Sequence, residues 1–383
     1  MFFSPLFKSS WGKKGGCVKL KNMQNSKEKK STIKNKNAGK KNNVTIKNIV
    51  FNLCLSFITL ILILILMEVA LRITYPFYKN YNTEMWRYAS ELKMLSDNAE
   101  RGHEHVPNKS SAFYGANIST NSLGFRSDRE YSQVKKENVT RILVVGDSIT
   151  LGWGVNFSQT YPKLLENLLN KGSKDKKYEV INTGVGNYNS VNELETLKKY
   201  IHLTPDIIIV GFYINDIERV KYPSKLSYFF LKNSYFCAFI GDKIINAKFG
   251  KSYSYKEYYR DLYKDEYLRE RLRKAIREID AIGKKHSIPA VFMNIPEFHQ
   301  FKDYPFHQIN SFLENDILNQ TSVYYINLLP YFINETPEKL WVSYEDPHPN
   351  AEGQEIMARS LYNFMLDKKI INVSPQDEKK THF

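Results

Sequence analysis

Cysteine is scarce, with three residues in a chain of 383. Cys17 lies in a polar N-terminal tail, Cys54 in a long apolar run, and Cys237 is alone in the remainder. No disulfide can therefore form within the C-terminal part, which must hold together through its apolar core. Acidic residues are almost missing from the first 48 positions, where thirteen Lys or Arg face the single acid Glu28. The rest of the chain carries 42 basic and 39 acidic residues, so the net charge of +15 belongs mainly to the tail. Residues 1–48, rich in Lys, Asn, Ser and Gly, read as a basic disordered tail. Aromatic interleaving and a DNA-reading motif are both lacking, which argues against a nucleic-acid partner. A metal centre lacks ligands as well: His103, Glu104 and His105 have no third ligand nearby and are expected in a solvated loop.

Charge is also missing from residues 49–67, I-V-F-N-L-C-L-S-F-I-T-L-I-L-I-L-I-L-M, and the apolar run resumes after Glu68. At 1.5 Å per residue this stretch covers about 30 Å, the hydrocarbon thickness of a bilayer. It is apolar on every side, unlike a surface helix, and it is followed by no small-x-small cleavage site. Residues 49–73 are therefore expected to be a transmembrane signal-anchor helix with the lipid bilayer as partner. The lysines before it place the N-terminus in the cytoplasm by the positive-inside rule, so the remaining chain is expected on the outer side of a cell membrane.

Beyond the anchor, residues 74–134 read as a linker and accessory segment, with an amphipathic helix near 82–95. Residues 135–368 read as the folded domain, and 369–383 as a disordered tail. Hydrophobic content of 42% suits a sizeable core. Strands are expected at 141–146, 178–181, 207–212, 288–295 and 322–328, with helices at 264–285, 306–319 and 351–366 between or after them. Such alternation implies an α/β fold with a parallel five-stranded sheet covered on both faces and a site at the strands' C-terminal ends. The insertion 218–263, dense in Tyr, Phe and Lys, could be a lid, a membrane-surface helix or an extra core helix; its apolar density favours packing.

The first strand ends in Gly146-Asp147-Ser148, which delivers a serine onto a turn. Asp147 or Ser148 could simply cap a helix there. Far along the chain, Asp346-Pro347-His348-Pro349-Asn350 supplies what a serine nucleophile needs: an imidazole to take its proton and a carboxylate to orient that imidazole. Asp346 is two residues before His348, so both side chains can project to one side of an extended loop. Glu345 is the alternative acid; the shorter Asp346 suits a tight loop better. Asn350 is expected to cap the helix from 351.

These blocks resemble those of the SGNH (GDSL) hydrolases, serine esterases and acyl hydrolases on a flavodoxin-like three-layer αβα sandwich. The resemblance covers roughly residues 121–365. It implies that Ser148 is the nucleophile, that His348 and Asp346 complete a triad, and that the Ser148 backbone N–H donates to the oxyanion. The second block, residues 182–189 (N-T-G-V-G-N-Y-N), implies a further backbone donor, left open between Gly186 and Asn187 because the family commonly has glycine where Asn187 stands. The third, Tyr213-Ile214-Asn215-Asp216, implies the Asn215 side-chain amide as another donor, with Tyr213 replacing the usual glycine. Residues 121–126 (N-S-L-G-F-R) resemble an element that precedes the first block in membrane-anchored members. There Arg126 is a candidate substrate contact, as is Asp147 beside the nucleophile, although Arg126 could instead be salt-bridged in packing with Phe125.

The expected chemistry is attack of Ser148 on an ester carbonyl, with an acyl-enzyme as intermediate and no metal or organic cofactor. The substrate would be an acylated glycan, lipid or small ester. Two alternatives use the same residues differently: an O-acetyltransferase of an envelope polysaccharide, and a catalytically inactive envelope scaffold. Oligomeric state is not legible in the sequence.

Overall fold

The computed structural model describes residues 38–77, 81–173, 176–219, 225–249 and 254–372. Two compact units divide the chain, one ending at Phe77 and the other running from Tyr78 onward. The first is helix α1, Ala38–Thr74, closed by a 3₁₀ turn at Tyr75–Phe77. Its stretch Ile46–Thr74 is long and apolar enough to cross a membrane. Side chains such as Phe51, Leu53, Phe57 and Leu66 are exposed, so this is no core helix. The helix starts at Ala38, which makes residues 38–48 helical where the tail was expected to be disordered; the earlier tail lies outside the described residues.

The second unit opens with α2 (Tyr81–Glu91), β1 (Lys93–Leu95), β2 (His103–His105), β3 (Ser110–Phe113) and β4 (Ala116–Ser119). The amphipathic helix expected to reach residue 95 stops at Glu91, because Lys93–Leu95 pairs antiparallel with His103–His105 instead. That long-range pairing overrides local periodicity. β3 and β4 form a hairpin. Met85, Tyr88, Leu92, Phe113 and Ile118 from this segment bury themselves against Leu151 and Trp153, making a small core of their own.

The main sheet contains β5 (Val139–Gly146), β6 (Lys177–Asn182), β7 (Ile207–Phe212), β8 (Ala290–Asn294) and β9 (Tyr324–Asn327). All pair in parallel, in the order β6-β5-β7-β8-β9. Every residue of β7 is buried, as a strand covered on both faces requires. Helices α3 (Ser148–Leu151), α4 (Tyr161–Gly172) and α5 (Ser190–Tyr200) connect the first strands. The insertion folds into α6 (Lys225–Asn233), α7 (Tyr235–Phe249) and α8 (Tyr255–Leu262), and α9 (Glu266–His286) precedes β8. α10 (His307–Phe312), α11 (Leu329–Phe332), the antiparallel pair β10 (Trp341–Ser343) and β11 (Asp346–Pro349), and α12 (Ala351–Asp367) complete the unit.

α4 packs on β6 and α12, while α5 packs on β5 and α9. α9 inserts Leu268, Leu272, Ala275, Ile276 and Ile279 into the core, the stripe of an amphipathic helix. Chain order and sheet order diverge around β5: the chain steps to one side for β6 and returns to the other for β7. That reversal opens a crevice beyond the C-terminal end of β5, where open α/β sheets bind their ligands. Within the insertion α8 buries Tyr259, while α6 and α7 pack against α2, with Tyr235 edge-on to Trp86. α6 and α7 leave Leu226, Phe229, Phe230 and Phe239 exposed.

Candidate active site

β5 ends at Gly146, which lies opposite Gly211 of β7 in the parallel register. A Cβ built on Gly146 would meet Thr150 Oγ1 at 2.0 Å, and one on Gly211 would meet the same atom at 2.5 Å. The paired glycines thus allow the one-turn helix α3 to fold back over the strand ends and hold Ser148 at the crevice. Asp147 caps that helix, its Oδ1 accepting from the Ile149 N–H at 2.8 Å. Its Oδ2 accepts from Asn215 Nδ2 at 3.1 Å, which fixes the amide orientation of Asn215. Asp147 is fully buried, and burial raises its carboxyl above the usual range despite those bonds. It is a capping group facing the protein, contrary to the expected substrate contact.

Ser148 Oγ lies 2.8 Å from His348 Nε2. On the far side of the ring, His348 Nδ1 lies 2.5 Å from Asp346 Oδ1. The other carboxylate oxygen accepts from the indole N–H of Trp153 at 2.7 Å. Asp346 is completely buried, Glu345 is exposed, and it is Asp346 that meets the imidazole. Burial would push the His348 imidazole down, but the adjacent Asp346 carboxylate outweighs it and holds the ring above the ordinary histidine range. Burial would likewise raise Asp346, and the imidazole with its hydrogen bonds pulls it below the usual carboxylate value. Asn350 accepts from the N–H groups of Glu352 and Gly353 as the cap of α12, which anchors the loop carrying His348.

The second block passes beneath α3. Asn182 donates to the Thr150 carbonyl at 2.7 Å, and Gly184 leaves room for the α3 backbone, since a Cβ there would sit 2.4 Å from Leu151 N. The Gly186 N–H donates to the Tyr88 hydroxyl at 2.9 Å. Asn187 sits in the left-handed region at φ 66°, which asparagine tolerates better than most residues. Its backbone N–H, like that of Ser148, has no hydrogen-bond partner among the described residues. Asn215 follows β7 in a 3₁₀ turn held by Asp216, whose Oδ2 accepts from the Tyr213 N–H. The side-chain oxygen Oδ1 of Asn215 is buried with no partner among the described residues.

Arg126 does not enter the crevice. It is 1% exposed and donates to the carbonyls of Leu151, Gly152, Asn117 and Val155. Burial lowers it to about 10, which still leaves it charged at neutral pH. Its role is to hold the chain after α3, and neither a substrate contact nor an ion pair with a carboxylate describes it. His103 and His105 are likewise no solvated loop: both are buried in β2. His105 Nδ1 donates to the Gly124 carbonyl, and its Nε2 accepts from the Tyr88 hydroxyl at 2.6 Å. Burial pushes His105 down to about 3, so the ring is neutral.

Sequence reading missed Trp153, Tyr88 and Lys93. For Trp153 a signal existed: a tryptophan five residues after the serine, once buried, needs an acceptor for its N–H. No local signal marked Lys93, whose burial follows from strand pairing.

A parallel sheet with a Ser–His–Asp chain at its switch point defines an α/β serine hydrolase. A family model described as the GDSL-like Lipase/Acylhydrolase family matches residues 144–356, and the chain belongs to that family. It is a serine hydrolase acting on ester bonds. No curated protein matches the chain. Similar solved structures include TesA, at 14% identity and TM-score 0.39 over 59% of this chain and 98% of that one. An esterase EstA from Pseudoalteromonas sp., inhibited by monoethylphosphonate, is 13% identical at TM-score 0.39, covering 61% and 100%. A two-domain esterase active on acetylated mannans is 13% identical at TM-score 0.38, covering 63% and 53%.

Proposed function

We propose that this chain is a membrane-anchored esterase that removes ester-linked acyl groups outside the cytoplasm through an acyl-Ser148 intermediate. The observation that carries the reading is the continuous hydrogen-bonded chain from Ser148 Oγ through His348 to Asp346, completed by Trp153. Ser148 Oγ attacks the ester carbonyl while His348 Nε2 takes its proton, and Asp346 stabilises the imidazolium that results. The oxyanion is received by the N–H groups of Ser148 and Asn187 and by the second N–H of the Asn215 amide, the first being held by Asp147. Each such donor contributes roughly 3 kcal/mol in the transition state. The imidazolium then protonates the departing alcohol. Water, deprotonated by His348, attacks the acyl-serine and releases the acid.

Anchoring rests on the apolar helix Ile46–Thr74, and orientation on the lysines before it. The test is turnover by the full chain in detergent against p-nitrophenyl esters and acetylated glycans. Ser148→Ala is expected to abolish release of acid with the fold retained. Wild-type protein inert on every ester, or Ser148→Ala as active as wild type, would sink the reading. Acyl groups appearing on an added sugar hydroxyl in place of free acid would redirect it to transfer.

A further inference from the structure

The second block's peptide between Gly186 and Asn187 is gripped from the accessory segment. Lys93 Nζ donates to the Gly186 carbonyl at 2.5 Å, and His103 Nε2 donates to the same oxygen at 3.0 Å. Lys93 and His103 lie on the antiparallel strands β1 and β2, and both are fully buried. Lys93 Nζ sits 4.5 Å from the centre of the Tyr88 ring, and the Tyr88 hydroxyl accepts the Gly186 N–H. A carbonyl oxygen has two lone pairs, so two donors fill its capacity and fix the plane of the peptide. A trans peptide is flat, with C=O and N–H pointing in opposite directions. Pinning the Gly186 oxygen toward Lys93 and His103 therefore aims the Asn187 N–H away from them, and that N–H has no partner among the described residues. Donors on the carbonyl also polarise the peptide, strengthening the N–H as a donor by about 10–30% per bond.

We propose that Lys93 and His103 are positioning residues for catalysis: by holding the Gly186 carbonyl they set the Asn187 N–H as the backbone donor to the oxyanion. This rests on the esterase reading above and adds that residues 93–105 belong to the catalytic apparatus. Gly186 fits the same account. A Cβ on it would come within 2.7 Å of the Tyr88 ring, so glycine lets the accessory segment reach the peptide. Burial draws the Lys93 amine well below the usual lysine range. Either protonation state keeps an N–H for the carbonyl.

The experiment compares wild type, Lys93→Met, His103→Leu and His103→Gln as full chains in detergent. Two readouts are taken on each: kcat and KM for p-nitrophenyl acetate, and the rate at which a fluorophosphonate labels Ser148. Lys93→Met is expected to lower kcat about 10- to 100-fold with KM changed less than about threefold, and to slow labelling by a similar factor. His103→Leu is expected to lose about tenfold in kcat. His103→Gln, whose amide can replace the lost donor, is expected to stay within about threefold of wild type. If Lys93→Met fails to fold, the two His103 variants decide. Folded Lys93→Met or His103→Leu with kcat within threefold of wild type overturns the inference alone, as does a loss confined to KM. Wild type that neither turns over nor labels removes the esterase reading and this inference with it.

Discussion

At the scale of single residues, the geometry sets a pH dependence. His348 accepts a proton only when neutral, and Asp346 holds its imidazolium above the ordinary histidine range. Activity is therefore expected to rise with pH through a midpoint above that of an unperturbed histidine. Asp346→Asn removes the charge and is expected to lower both the midpoint and turnover, the latter by up to ~10⁴-fold, while Glu345→Gln leaves both unchanged. A pH–rate profile of kcat/KM on the three proteins checks this. Trp153→Phe keeps the ring packing but leaves the buried Asp346 carboxylate one donor short, at a cost of about 1–3 kcal/mol in stability. An unchanged urea midpoint would mean that another donor takes its place. Glu193 sets a pH dependence of stability. It is fully buried, neither carboxyl oxygen having a partner among the described residues. Burial, with Asp147 adding, raises it well above the usual range. Its folded value exceeds its unfolded one, so its contribution is fully present below the unfolded carboxyl value and is lost as pH rises through the folded one. Glu193→Gln is expected to gain urea resistance relative to wild type at pH 8 compared with pH 5. A gap that stays constant with pH would contradict a protonated Glu193.

At the scale of elements, legibility depended on how local the cause was. The run 207–212 is apolar throughout, and β7 spans those same residues, because a strand buried on both faces needs no partner-specific signal. The cap at Asn350 and the start of α12 at Ala351 were readable for a similar reason: side chain and acceptor lie within three residues. The halt of α2 at Glu91 was not, since β1 exists only through its pairing with β2 ten residues on. Arg126 misled because an arginine's charge suggests an anionic partner, whereas here it meets four carbonyls contributed by β4, the last residue of α3 and the turn after it. The serine, histidine and acid were legible as types. Their neighbours Trp153, Tyr88 and Lys93 became visible only once tertiary packing brought them in. The cap offers a test at this scale. Asn350 also donates to the Lys339 and Trp341 carbonyls, tying α12 to β10 and hence to the loop of His348. Asn350→Ala is expected to cost about 1–2 kcal/mol in stability and to reduce kcat as well, a coupling absent from an isolated helix cap. A stability loss with kcat untouched would show that the loop is held independently.

For the whole molecule, charge partition and hydrophobicity bear on where the enzyme works. Twelve of the fifteen net positive charges lie before residue 49, and the rest of the chain is close to balance. Within α1 the span Ile46–Thr74 exposes apolar side chains and is long and apolar enough to cross a membrane, which is what the proposed anchoring rests on. The proposed orientation keeps the lysines on the cytoplasmic side, because moving such charges through the hydrocarbon core costs several kcal/mol for each residue on insertion scales. A reporter that folds only outside the cytoplasm, fused after Phe383, is therefore expected to be active, and one that works only in the cytoplasm to be silent in the same position. Replacing the lysines between residues 27 and 47 by glutamine, with several lysines added just after Phe77, is expected to shift the two readings toward each other or reverse them. Cytoplasmic activity of the unaltered fusion would contradict the outward placement while leaving the proposed ester chemistry at Ser148 untouched, since nothing in that chemistry depends on which side of the bilayer the domain occupies.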